Sequence, residues 1–182
     1  MPLAVLVVLM LSACDTGEVF EAPSSQSECD QPGNVVSNCG FDVNLDDWQS
    51  PGSGVTHSSE DGSSKRGCAQ IVSAAGGSEW FASIKQCVAF PSVATYAVGA
   101  DIRVVTGSPD SCVIAIGGTD SCPSGTAGIV LSSAFNPSDS WSQSSPLVTD
   151  ISVAWDAAVV FLQCRGTSAF TVRFDDAFVK EQ

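Results

Sequence analysis

The sequence predicts an all-β fold, a sandwich of about eight to ten short antiparallel strands. Three observations carry this. Apolar and polar residues alternate at a period of two in segment after segment, the mark of strands with one face in a core. Turn residues interrupt those segments at short intervals, as in Pro51-Gly52-Ser53-Gly54, Asp61-Gly62 and Ala74-Ala75-Gly76-Gly77. No stretch sustains a helical period.

The elements follow in chain order. Val35, Ser37, Cys39 and Phe41 alternate with Val36, Asn38, Gly40 and Asp42, which reads as a first strand, and Trp48 follows a turn. Short strands are expected around Val55–His57 and over Cys68–Val72. From Trp80 to Phe90 one phase carries Ile84, Gln86 and Val88 and the other Phe81, Lys85 and Cys87. Beyond Pro91, Tyr96, Val98, Ala100, Ile102 and Val104 form an inner row, and Ala97, Gly99, Asp101 and Arg103 an outer one. Ser111–Gly117 reads as a shorter strand, Ile129–Leu131 as an edge strand and Trp141–Val148 as a weakly alternating segment. Ala157–Leu162 is apolar on both phases, as a central strand is.

The last strand runs from Phe170 to Val179, with Phe170, Val172, Phe174 and Phe178 on one phase and Thr171, Arg173 and Asp175 on the other. Asp176 breaks the pattern by falling in the phase of the phenylalanines. A carboxylate aimed into an apolar layer is costly unless hydrogen bonds or a cation meet it. Two readings remain open: a β-bulge that turns Asp176 outward, or a buried carboxylate that ties this strand to the start of the domain.

Composition narrows the function. The chain has 182 residues, 44% of them hydrophobic, enough for one domain with a real core. Seven Lys and Arg against 20 Asp and Glu give a net charge of -13, and the basic residues are scattered, which excludes nucleic-acid binding. Eight cysteines without a Cys-x-x-Cys pair point to disulfides in an oxidising compartment rather than zinc. The single histidine, His57, excludes a His-rich metal site. No Gly-x-Ser-x-Gly, phosphate loop or His-Glu-x-x-His occurs, so the chain is read as not an enzyme.

The amino terminus carries its own signal. Leu3–Leu11 is an apolar run too short to span a bilayer but suited to the core of a signal peptide. Leu11-Ser12-Ala13-Cys14 then resembles the lipobox of bacterial lipoproteins, although Met1-Pro2 supplies no basic residue ahead of the apolar run. The resemblance implies a signal peptide over 1–13, lipidation of Cys14 and a position in the bacterial cell envelope, facing periplasm or cell surface. Acyl chains make such an anchor effectively permanent. Residues 14–33 are acidic and rich in Ser and Pro, and read as a flexible tether leading to the sandwich over 34–182.

Further residues carry a second resemblance. Asn34-Val-Val-Ser-Asn-Cys-Gly-Phe-Asp42 followed by Leu45-Asp-Asp-Trp48 is similar to the opening of carbohydrate-binding modules appended to cellulases and xylanases. Ile84-Lys-Gln-Cys-Val88, Pro91 with Thr95-Tyr96, Trp141 and Phe174-Asp-Asp-Ala-Phe178 match later motifs of that family in the same order. The resemblance implies a jelly-roll β-sandwich of galactose-binding-like type and, as a function, glycan binding. It places Trp48 in the core framework. It also implies a structural Ca²⁺ between the first and last strands, with Asp42 and Asp176 as ligands, Asp42 standing where the motif has Glu.

Sugar recognition needs flat aromatics against pyranose faces, flanked by polar side chains for hydroxyls. Phe81, Lys85, Asp101 and Arg103 share outward phases on two consecutive strands, and Trp155 stands at a strand edge, with Trp80 and Trp141 also available. These residues are the expected glycan-binding set, and neutral polysaccharide the expected ligand. The alternative is a structural or adhesion lipoprotein that binds protein partners or no small ligand. For the cysteines, Cys68–Cys87 would join neighbouring strands and Cys112–Cys122 would staple a loop, while Cys29, Cys39 and Cys164 remain unassigned.

The lipid anchor is directly testable. Cys14→Ser should move the protein to the soluble fraction and abolish metabolic palmitate labelling. A variant that stays membrane-bound, beside a wild type that never labels, overturns the lipobox reading.

Overall fold

The computed structural model describes residues 27–50, 54–74, 83–89, 93–119, 122, 128–135, 138–144, 147–150 and 157–182. Cys14, Phe81 and Trp155 lie outside the described residues, as does Trp80. Ten strands are described: β1 (Val55–Ser58), β2 (Cys68–Ser73), β3 (Ser83–Val88), β4 (Thr95–Thr106), β5 (Ser111–Thr119), β6 (Gly128–Phe135), β7 (Ser142–Gln143), β8 (Leu147–Asp150), β9 (Ala157–Arg165) and β10 (Phe170–Glu181). They form a jelly-roll sandwich of two antiparallel sheets. One runs β1-β2-β10-β4-β7, with β8 also on β4, and the other runs β3-β9-β5-β6.

The inner rows meet as the alternation predicts. Tyr96, Val98, Ala100 and Ile102 from β4 share one fully buried core with Ile114 and Ile116 from β5 and Val160 and Leu162 from β9. β9 is central to its sheet and β6 is an edge, as read from sequence. Trp48 belongs to this core, its ring 5.1 Å from that of Phe41 and its Nε1 donating to the Ser37 and Asn38 carbonyls at 3.2 Å. An apolar ring with its one polar atom satisfied is what a buried tryptophan requires.

The expected strand over Val35–Phe41 does not form. Asn38 and Phe41 take left-handed φ values of 44° and 48°, which no strand accommodates. The segment instead touches β10 at separate points, through Val35 N–H to the Val179 carbonyl at 2.9 Å and Ala177 N–H to the Cys39 carbonyl at 3.0 Å. The folded part also begins before Asn34. A 3₁₀ turn over Glu28–Asp30 is pinned by a Cys29–Cys39 disulfide and by Lys180 to Glu28 at 2.5 Å, so the stretch from Ser27 belongs to the domain rather than to a tether.

At the Asp pair the bulge is real. Asp175 pairs with Asp101 and Phe178 with Gly99, so two residues of β10 oppose one of β4, and Asp176 takes φ 45°. The extra residue inverts the phase of everything after it. Ala177 and Val179 therefore enter the core, and Phe178, read as inward, lies outward over Gly99, where any Cβ would run into its ring.

The cysteine pairing corrects the sequence reading. Cys68 and Cys87 do not join: they lie on different sheets, neither in the core between them, and Cys87 is bonded to Cys122. Cys112 cannot reach Cys122, because Cys112 points into the core while Cys122 meets the outward-facing Cys87. The bonds are Cys29–Cys39, Cys87–Cys122 and Cys112–Cys164, the last between residues directly opposite on β5 and β9. Cys68 is left as a buried thiol, which burial pushes up to about 11.

Non-reducing peptide mapping should recover these three bridges, and Cys68 should react with thiol reagents only after denaturation. Recovery of a peptide joining Cys68 to Cys87, or rapid labelling of Cys68 in the native protein, contradicts this arrangement.

Candidate functional site

The outward face of the four-stranded sheet is built by register. Lys85, Phe161, Ala115 and Ser132 stand in one row across β3, β9, β5 and β6, and Ser83, Gln163, Val113 and Ala134 in the next. Val113, Ala115 and Val159 point outward yet are only 8%, 0% and 1% exposed, so the floor is recessed rather than flat against water. Phe161 and Lys85 rise half-buried from that floor, and Gln163 is nearly buried beside them. One edge of the face is fixed by the Cys87–Cys122 disulfide. The other side of β3 is held by reciprocal backbone bonds between Gln49 and Lys85 at 2.7 and 2.8 Å. An aromatic ring flanked by an ammonium and a carboxamide on a sheltered floor offers stacking and hydroxyl contacts at once.

Of the expected glycan set, the structure places Lys85 on this face. Asp101 and Arg103 lie on the other sheet, because the connection from β3 to β4 crosses the sandwich, as jelly-roll connections do. The shared outward phase of consecutive strands therefore did not mean a shared face. Phe161 and Gln163 were missed because Ala157–Leu162 is apolar on both phases. The signal lay in extending the run: Phe161, Gln163 and Arg165 alternate with Val160, Leu162 and Cys164.

Asp101 and Arg103 serve a different purpose. Arg103 and Arg173 stand directly opposite each other on β4 and β10, and both guanidiniums bind the Asp61 carboxylate, Arg173 at 3.4 Å. Asp61 belongs to the loop between β1 and β2, which these contacts lay over the six-stranded sheet. Ser63 of the same loop donates its N–H to Asp175 at 2.6 Å and its hydroxyl to Asp176 at 2.8 Å. Asp101 also bonds Ser63, and its carboxyl is raised by burial and then by the neighbouring Asp176 charge. Burial likewise pushes Asp175 up to about 7, although its hydrogen bonds to Ser63 and to the Asp176 N–H oppose the shift. His57 joins the same scaffold, its Nε2 2.8 Å from the Phe41 carbonyl.

Beyond Ser63 the chain turns through Gly67, at φ +110°, hard against the Phe41 and Asp42 carbonyls. This brings Lys65 to a junction of three segments, where its ammonium lies 2.7 Å from Asp30 and 3.8 Å from Asp42. Asp42 and Asp176 each turn an oxygen toward Gly40, within 3.4 and 3.7 Å of where a Cβ would stand. The two expected calcium ligands thus converge, but the donor set as it stands does not fit a resident Ca²⁺. Both Asp176 oxygens accept serine hydroxyls, from Ser27 and Ser63, and among the described residues no three Asp, Glu, His or Cys side chains gather as a metal site. A divalent ion about 4 Å from the ammonium would be opposed by about 2 kcal/mol in water-like surroundings and about 8 kcal/mol at an effective dielectric of about 20.

A second concavity, of about 330 Å³, lies on the six-stranded side between Ser27, Ser63, Asp101, Trp141, Gln143 and Asp176. Trp141 Nε1 is buried there without a hydrogen-bond partner.

No protein-family model matches the sequence, and no curated protein matches it. Solved structures match the fold. A family 16 carbohydrate binding module-2 superposes with a TM-score of 0.64 at 19% identity, over 81% of this chain and 100% of that one. TmCBM61, solved in complex with β-1,4-galactotriose, gives 0.59 at 15% identity over 82% and 99%. The enzymatically active domain of bacteriophage CBA120 tailspike protein 4 gives 0.64 at 12% identity, with 82% of this chain covered. This chain spans 21% of the length of that tailspike chain. The chain therefore has the β-sandwich of the carbohydrate-binding-module type.

The clamp on the β1–β2 loop can be measured. Asp61→Asn leaves Arg103 and Arg173 facing each other without their shared carboxylate, and should cost about 1–3 kcal/mol in urea denaturation. Glu60→Gln, at an ion pair whose glutamate side chain is 83% exposed, should change stability by less than about 0.5 kcal/mol. Equal effects of the two substitutions refute the clamp.

Proposed function

We propose that this chain is a non-catalytic envelope lipoprotein whose sandwich binds neutral polysaccharide across the outward face of the four-stranded sheet. The observation that carries the reading is Phe161, presented between Lys85 and Gln163 on a recessed floor. A pyranose laid on the ring stacks its C–H face there, while the ammonium and carboxamide take its hydroxyls. The fold neighbours support the same chemistry, since one of them is described in complex with a galactotriose. The net charge of -13 favours neutral over anionic glycans. A shallow face gains about 0.5–1.5 kcal/mol per aromatic contact, so affinity per sugar is modest. The lipidated Cys14 would hold this face at the membrane surface, where extended polysaccharide is available.

A glycan array with the mature protein, followed by calorimetry on the best oligosaccharide, tests the site. Phe161→Ala should weaken binding about 2- to 10-fold, and Gln163→Ala should weaken it too, with the melting temperature less affected than by Tyr96→Ala. Tyr96 is fully buried, so its loss should lower the melting temperature. If Phe161→Ala and Gln163→Ala bind every responsive glycan as the wild type does, the sheet face is wrong, and Trp141→Ala decides whether the second concavity holds the sugar.

A further inference from the structure

The three disulfides of the described residues differ in what they join. Cys112–Cys164 links residues directly opposite on β5 and β9, inside the core, where the ladder already aligns the two strands. Cys29–Cys39 closes a stretch of the amino-terminal segment. Cys87–Cys122 is the one of the three on the outward face of the four-stranded sheet. Cys87 belongs to β3, whereas Cys122 follows Thr119, the last residue of β5, by three positions. β9 lies between β3 and β5, which stand about 10 Å apart at the usual strand spacing. Cys122 has therefore been carried across β9 to meet its partner, and its Sγ lies 3.6 Å from the β9 carbonyl of Ala158.

Register fixes where the bond sits. Cys87, Val159 and Gly117 form one row across β3, β9 and β5, next to the row of Lys85, Phe161 and Ala115. At about 3.3 Å per residue the two rows lie about 7 Å apart along the strands. Val159, Gly117 and, one step further, Thr119 point away from the core, yet all three are buried. The disulfide lies against this covered row, and Phe161 and Lys85 stand half-buried beside it.

We propose that the Cys87–Cys122 disulfide is a positioning element of the glycan face, a wall that bounds the floor one row from Phe161. The inference rests on the sheet-face reading given above. A sugar stacked on Phe161 meets polarizable, uncharged sulfur at its edge, which suits C–H groups. Without the bond, Cys122 keeps a weak thiol contact to a carbonyl to hold it on the face. The wall is then in place for only part of the time, and apparent affinity falls with that fraction.

The test uses the mature protein and a printed array of neutral oligosaccharides, with calorimetry on those that bind. Cys87→Ser/Cys122→Ser is compared with Cys29→Ser/Cys39→Ser well below the melting transitions, since loss of either bond lowers stability. The first pair should weaken binding about 3- to 10-fold, while the second leaves it at the wild-type value. A further measurement needs no variant. A dithiol, which gives up two electrons and two protons and closes to its own cyclic disulfide, is added to the wild type with and without the oligosaccharide. Alkylation and peptide mapping follow each bond. Bound sugar should slow reduction of Cys87–Cys122 several-fold relative to Cys29–Cys39, because exchange depends on access to the sulfur. A glycan whose binding needs Phe161 overturns this inference alone if the first double variant binds it as the wild type does, or if it leaves the two reduction rates in the same ratio. If every responsive glycan ignores Phe161→Ala, the sheet-face reading falls and this one falls with it.

Discussion

Asp175 and Asp176 are 1% and 4% exposed at a bulge of β10, and the segments that meet there are organised around them. Buried carboxylates are tolerated only where hydrogen bonds replace water. Besides the Asp176 N–H, which donates to Asp175 at 2.8 Å, the replacements come from outside the strand: the backbone and hydroxyl of Ser63, and the hydroxyl of Ser27. The pair therefore gathers two distant stretches of chain, the β1–β2 loop and the amino-terminal turn, onto the last strand. The bulge makes this geometry available. Without the extra residue Asp176 would face the phenylalanine layer, and Phe178 could not lie over Gly99.

One consequence is a division of labour between the two sheets. The six-stranded sheet spends its outward side chains on its own loop: Arg103 and Arg173 on Asp61, Asp101 and the Asp pair on Ser63. The loop covers part of its outer surface, beside the concavity lined by Asp101, Trp141 and Gln143. On the four-stranded sheet, half-buried Phe161 and nearly buried Gln163 stand over Ala115, Val113 and Val159, and no ion pair is seen to hold them among the described residues. On the proposed reading, this is the face on which a ligand is recognised.

The sequence showed the architecture because period-2 alternation reports directly on which face of a strand is buried. The inner row Tyr96, Val98, Ala100 and Ile102, the edge position of β6 and the central position of β9 were all legible. What alternation does not report is which sheet a strand joins. Lys85 and Asp101 were grouped on one face for that reason, and the pairing of Cys68 with Cys87 failed for the same one. Segments held by side-chain bonds rather than ladders were also misread. Val35–Phe41 alternates in sequence, yet Val36 is buried and Ser37 exposed, and its left-handed residues make it a loop laid along β10. The carboxylate out of phase at Asp176 was a local irregularity visible in the sequence, as was Gln86 between Ile84 and Val88, and it marked the junction on which the fold depends.

The charge distribution follows from the same economy. Among the described residues, Arg103 and Arg173 tie the β1–β2 loop to the six-stranded sheet, Lys180 ties the amino-terminal turn to it, and Lys65 joins that loop to that turn. At the bulge, serine hydroxyls stand in for further cations, so carboxylates are satisfied at the junction without adding positive charge. The net charge of -13 opposes anionic polymers over a range that the Debye length sets at about 8 Å in physiological salt. A recognition face within such a field gains nothing from charge neutralisation and must bind through stacking and hydroxyl contacts. On the proposed reading, Phe161 and Gln163 supply those two interactions. On the proposed reading, the same charge balance favours an uncharged, polyhydroxylated chain as the ligand of the four-stranded sheet.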